Sequence, residues 1–120
     1  VKGAYLETEE IAFQEKEDVD LHYMRLTEHL IHSGMRPAFA THDRKLIDFA
    51  IDLADIFCVD KNWYEFQFLY GIRKDIQEDL LNNGYRVRIY LPYGEDWYGY
   101  LMRRLAERPA NLIFFMKNIR

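Results

Sequence analysis

The chain of 120 residues has little of what several function classes require. Its single cysteine, Cys58, has no partner for an intrachain disulfide, and no spaced set of ligands forms a zinc pattern. A reducing compartment fits, and no metal site is expected. No apolar run approaches the about 18 residues that a membrane-spanning helix needs. Basic residues do not cluster, and the net charge is -4, whereas a nucleic-acid-binding surface concentrates Lys and Arg for phosphate contacts. Nucleic acid is therefore not an expected partner. A Gly-rich dinucleotide fingerprint is absent, which removes the main argument for an open doubly wound sheet. The first residue is Val1 rather than methionine, and no signal-peptide pattern follows it, so the sequence reads as an excised piece of a longer chain.

What is present is ordinary for a soluble globular core: 49% hydrophobic and 30% charged residues, at a length suited to one domain. Aromatics reach 16%, with nine tyrosines, which suits a flat, partly apolar pocket but equally a core or an interface. Four short apolar or β-rich runs, residues 1–5, 37–42, 66–70 and 86–91, alternate with helix-like stretches. Between the first two runs, Val19, Tyr23, Leu26 and Leu30 recur at helical spacing, and Gly34 stands where a left-handed cap would end that helix. Asp43 is placed to cap a second helix whose apolar face is Leu46, Ile47, Ala50, Ile51 and Ala54. A third helix over 73–83 puts Ile76 and Leu80 on one side and stops at Asn83-Gly84. A fourth begins near Asp96.

Strands joined by helices run parallel, because an antiparallel pair would need only a tight turn. The expected class is therefore α/β: four parallel strands alternating with helices, half of a (β/α)8 barrel whose full length is about 250 residues. An independent four-stranded α/β sandwich is the alternative architecture.

The last helix carries the densest chemistry. At about 100° per residue, Tyr100, Arg103, Arg104 and Glu107 share a wedge of about 100°, while Tyr98, Leu101, Met102 and Leu105 take the opposite side for docking. Two adjacent guanidinium groups suit a carboxylate or phosphate held in bidentate fashion. Spacing alone equally allows a solvated face on which Glu107 pairs with Arg103 or Arg104. In a (β/α)8 barrel the active site lies at the carboxyl ends of the strands, which selects Ala4, Tyr5, Thr41, His42, Leu69, Tyr70 and Tyr90. His42 alone is equally a helix-start residue bonding local backbone, Tyr90 can be strand propensity, and Gly3 a bulge or a close approach to a ligand. Glu65 and Gln67 alternate with Phe66 and Phe68, and Arg86 and Arg88 with Val87 and Ile89. Such residues line a polar barrel interior or form a structural ion-pair network; the network is the default expectation, and no catalytic role is assigned there.

The segments Val-Lys-Gly-Ala-Tyr (1–5), Phe-Ala-Thr-His (39–42), Glu-Phe-Gln-Phe-Leu-Tyr-Gly (65–71), Arg-Ile-Tyr-Leu-Pro-Tyr-Gly (88–94) and Tyr-Leu-Met-Arg-Arg-Leu-Ala-Glu (100–107) together resemble proline dehydrogenase, over nearly the whole chain. The resemblance implies the carboxyl-terminal half of a distorted (β/α)8 barrel with its final helix over the mouth. It also implies FAD-dependent oxidation of L-proline to 1-pyrroline-5-carboxylate, with electrons passed to a membrane quinone. By that resemblance Arg103 and Arg104 hold the proline carboxylate, and Tyr90, Tyr100, Leu69, Ala4 and Tyr5 surround the ring. Val1, Gly3, Thr41, His42 and Glu107 lie near the flavin. The implied location is the cytoplasmic side of a bacterial membrane, peripherally attached.

The chain departs from the family by lacking the flavin-facing arginine before Val1 and the earlier strands with a proline-contacting lysine and aspartate. Its Val-Asp-Leu-His-Tyr run at 19–23 also replaces a more usual Thr-Asp-Val-Ser-Tyr. The rest of the barrel is therefore expected to be required, and the 120 residues alone to be inactive. Competing readings are a hydroxyproline dehydrogenase, another flavin barrel acting on a small carboxylate, and a non-enzymatic α/β binding or oligomerisation module.

Overall fold

The computed structural model describes residues 1–2 and 8–106, and of Leu105 only the backbone. In chain order the elements are α1 (Lys16–His32), β1 (Ala38–Ala40), α2 (Arg44–Ile56), a 3-10 turn (Lys61–Trp63), β2 (Glu65–Leu69), α3 (Lys74–Asn82), β3 (Val87–Tyr90) and α4 (Trp97–Ala106). The strands form one sheet in the order β1-β2-β3. Both ladders are parallel, with Phe39 beside Phe66, Gln67 beside Arg88 and Leu69 beside Tyr90. The crossover helices thus have the role that the alternating pattern assigns them.

Three strands are seen among the described residues where four are expected. Residues 3–5 of the expected first strand lie outside the described residues. Val1, at its start, lies along the edge of β1: the Ala40 N–H donates to the Val1 carbonyl at 2.8 Å.

The helix ends follow local chemistry. Gly34 (φ +71°) and Gly84 (φ +80°) adopt the left-handed conformation just past α1 and α3, where a Cβ would be strained. The Asp43 carboxylate accepts the Lys45 N–H at 3.0 Å, capping α2 as its position suggests. Its other oxygen takes Lys16 Nζ of α1 at 2.9 Å, and Lys16 also pairs with Asp20.

The alternation of β2 sends Phe66 and Phe68 to one side, where they join Phe39, Leu46, Ile47, Ala50, Ala54, Ile76 and Leu80 in the core beneath α1, α2 and α3. Ile51 packs partly buried against it. Each large apolar side chain so buried contributes about 1.5–3 kcal/mol.

The buried stripe of α1 differs from the expected one. It runs Asp20, Tyr23, Thr27 and Ile31, while Leu26 is 53% exposed and Leu30 only partly buried. The two stripes share Tyr23, and a reading by apolarity passes over Thr27, which is wholly buried. Burial pushes the Tyr23 phenol above its ordinary range, because the charged form loses its hydration.

Candidate functional site

A second, smaller apolar cluster positions α4. Ile72, just after β2, and Leu101 are both buried, with Leu69 and Met102 packed against them. This contact fastens the helix at the carboxyl end of β2. Tyr98, expected on the docking side, instead stays 60% exposed and meets Trp97 edge-on at 5.7 Å. It sits in the first turn, while the anchoring residues lie one turn further on. Gly99 leaves space for Arg103: a Cβ there would meet Arg103 Nη1 at 3.4 Å.

Because Leu69 and Tyr90 are register partners, they present side chains on one face at the same end of the sheet. The Tyr90 ring lies 5.9 Å from that of Tyr100 on α4, tilted by 49°. The Arg104 guanidinium stands over the Tyr100 ring at 5.5 Å, within reach of a cation–π attraction. The structure thus gathers Leu69, Tyr90, Tyr100 and Arg104 from three elements separated in sequence. Arg103, one residue earlier on α4, is exposed. Such a group of two aromatic rings beside adjacent guanidiniums can hold a small molecule with an apolar ring and an anionic end.

A family model described as proline dehydrogenase matches residues 1–117. The chain belongs to the proline dehydrogenase family. It is 51% identical over 119 residues to proline dehydrogenase 2 of Bacillus subtilis (strain 168), covering 99% of this chain and 39% of that protein. Against proline dehydrogenase of Deinococcus radiodurans the identity is 46%, over 99% of this chain and 38% of the relative. Among solved structures, proline utilization A (PutA) from Bdellovibrio bacteriovorus, inactivated by N-propargylglycine, superposes with a TM-score of 0.76 at 30% identity. That match covers 83% of this chain and 11% of the PutA chain. The chain therefore spans well under half the length of these relatives.

Of the other candidate positions, Thr41 and His42 follow directly on the end of β1. Thr41 is buried, and its Oγ1 accepts the Asp43 N–H at 3.1 Å. The His42 ring accepts the Leu69 N–H through Nε2 at 3.1 Å, so Nδ1 carries the ring hydrogen. Its partner is backbone, as the plainer reading of a lone histidine expects, but it is distant rather than local. Val1, at the β1 edge, is half-buried. Gly3, Ala4, Tyr5 and Glu107 lie outside the described residues, so the alternative pairing of Glu107 with Arg103 or Arg104 lies outside them too.

Arg73 belongs to this end of the sheet and was not singled out from the sequence. It adopts a left-handed conformation (φ 51°), which a non-glycine residue holds only at a cost of about 1–3 kcal/mol. The conformation lets its guanidinium donate to the His42 carbonyl at 3.2 Å and grip Asp75 at 3.0 and 3.1 Å. Position 73 reads only as a helix start, and its backbone angle leaves no trace in composition.

Behind Leu69 and Tyr90 on the same face, the alternating polar residues form the expected ion-pair network. Arg88 donates to both oxygens of Glu65 at 2.7 and 3.1 Å, Gln67 donates at 2.8 Å, and Arg86 stands at 3.9 Å. Arg88, then Gln67, holds the Glu65 carboxyl below its ordinary value. Among the described residues no group of three or more His, Cys, Asp and Glu gathers to hold a metal, and no helix is long and apolar enough to cross a membrane.

Proposed function

We propose that this chain supplies the carboxyl-terminal half of the (β/α)8 catalytic barrel of an FAD-dependent proline dehydrogenase. The enzyme oxidises L-proline to 1-pyrroline-5-carboxylate and passes the electrons to a membrane quinone. The observation that carries the reading is the convergence of Tyr90, Tyr100 and Arg104 where α4 caps the carboxyl ends of the strands, with the Tyr90 and Tyr100 rings 5.9 Å apart. Family membership supports it.

Arg103 and Arg104 bind the proline carboxylate through charge-assisted hydrogen bonds, each contributing about 1.5–3 kcal/mol. Leu69, Tyr90 and Tyr100 pack against the ring, with Ala4 and Tyr5 beside them. Fixing both ends of so small a substrate orients the ring carbon that adjoins nitrogen on the side away from the carboxylate. Oxidation removes a hydride from that carbon and a proton from the nitrogen, leaving the carbon–nitrogen double bond of the product.

Bound FAD supplies the hydride acceptor. The residues at the end of β1 fit such a group. Thr41 Oγ1 and His42 Nε2 both act as acceptors toward backbone N–H groups, so both residues carry donor hydrogens, on Oγ1 and Nδ1. Donors of that kind suit phosphate and ribityl oxygens. Val1, Gly3 and Glu107 complete the proposed flavin side.

The 120 residues alone neither hold FAD tightly nor turn over proline, since the reading assigns the remaining strands to other parts of the barrel. The test is the visible spectrum of a family-length barrel carrying this sequence, titrated anaerobically with L-proline. Bleaching of a bound flavin, weakened at least tenfold in proline affinity by Arg103→Lys or Arg104→Lys, supports the reading. A barrel that holds no flavin overturns it, and faster bleaching with hydroxyproline reassigns the substrate. Turnover of a quinone analogue by the isolated chain sinks the claim that the rest is needed.

A further inference from the structure

The β1–β2 ladder has an unusual last rung. Ala40 is the final residue of β1 and pairs with Gln67, after which the chain turns through Thr41 and His42 to the α2 cap at Asp43. The next outward backbone group of β2 on that side is the Leu69 N–H. It donates to His42 Nε2 at 3.1 Å, so an imidazole takes the place a strand carbonyl would fill. The ring lies 5.7 Å from the Phe68 ring, and the His42 backbone carbonyl accepts from Arg73 Nη1 at 3.2 Å, Arg73 being in turn held by Asp75. On the other side of β2, the Tyr70 N–H donates to the Tyr90 carbonyl at 2.9 Å. Leu69 is thus tied to His42 at its own N–H, while the residue after it is tied to β3.

We infer that His42 is a positioning residue for the substrate: its ring completes the ladder and fixes Leu69 in line with Tyr90 and against the Ile72–Leu101 cluster that anchors α4. The inference rests on the proline-binding reading above and adds that a residue on the cofactor side sets the fit of the ring on the substrate side. Without an acceptor at that point, the Leu69 N–H would be left unsatisfied in a half-buried place, and the backbone would shift to find water. The Leu69 side chain would move with it, and with it the anchorage of α4 through Leu69, Ile72 and Leu101.

The test uses a family-length barrel carrying this sequence, loaded with flavin, in which His42→Gln and His42→Leu are compared. Glutamine presents a carbonyl oxygen near the former Nε2; leucine has similar bulk and no acceptor. With rates taken per bound flavin, His42→Leu is expected to raise the proline KM about tenfold with a much smaller change in kcat, and His42→Gln, which restores an acceptor toward Leu69, to recover most of that loss. Hydrogen exchange at the Leu69 amide should quicken in His42→Leu and not in His42→Gln. Should His42→Leu fail to fold, His42→Asn, whose shorter chain stops short of Leu69, takes its place. Equal KM changes in the glutamine and leucine variants, or a loss traced wholly to flavin occupancy with Leu69 exchange unchanged, overturns the inference. If the barrel with His42 intact oxidises no proline, the functional reading falls and this one with it, and unequal Leu69 exchange then marks a ladder bond alone.

Discussion

Toward the helices the sheet presents Phe39, Phe66 and Phe68, each at most 1% exposed. Toward the other side the same sheet presents Glu65, Gln67 and Leu69 of β2 and Arg88 and Tyr90 of β3, with Tyr90 54% exposed. One side is an aromatic packing surface whose residues are interchangeable in kind but not in volume. The other is a set of polar and flat side chains whose identities matter individually. Alternation along a strand lets a single five-residue element, β2, serve both needs at once. The difference teaches that stability and recognition can be altered separately here, by residues adjacent in sequence.

The largest expected separation comes from Phe66→Ala. It removes a wholly buried ring at the centre of the helix-covered face and should cost about 3–5 kcal/mol in urea unfolding. A loss under 1 kcal/mol would mean that this face is not the core. Asp43→Ala should cost less, about 1 kcal/mol by the same measurement, since it removes the cap of α2 and the Lys16 contact but no apolar packing.

Glu65→Gln probes the polar face through pH. The native carboxyl lies below its ordinary value of 4.5, chiefly through Arg88, so its contribution is present above that value and disappears as pH falls through the lower native one. The unsubstituted protein should therefore outlast the glutamine variant at pH 6, and the gap should close in acid unfolding below pH 4.5. A gap that does not change with pH would assign the effect to shape rather than charge. Tyr90→Ala sharpens the comparison at its small end. Its stability change should stay within about 0.5 kcal/mol, as at other exposed positions, while the proline KM of a family-length barrel rises. An unchanged KM would remove Tyr90 from the proposed site.

The elements governed by local chemistry were legible before the structure. Gly34, Gly84 and the Asp43 cap act at single positions through backbone conformation or one side-chain bond, and the strands lie within the expected runs to one or a few residues. The ion-pair network was legible because alternation places Glu65 and Arg88 on one face. Of the site, the face of Tyr100 and the two arginines followed from helical spacing, but the meeting of Tyr100 with Tyr90 required knowing where α4 docks. Contacts across the fold stayed hidden. Thr27 is buried by its position on α1 despite its hydroxyl, and the bond from Leu69 to His42 joins residues that no periodicity connects. Arg73 was missed because a left-handed arginine is a conformational fact, set by what its guanidinium reaches.

The order β1-β2-β3 also bears on how the chain assembles. β2 and β3 each pair with the strand before them, across the helical crossovers of residues 41–64 and 70–86. Loop closure costs only slightly more entropy as a connection lengthens, but each parallel pairing has to wait for its crossover, so it forms more slowly than a hairpin. A strand leaving the ribosome thus has only to find the one made just before it, and the sheet can lengthen stepwise during synthesis.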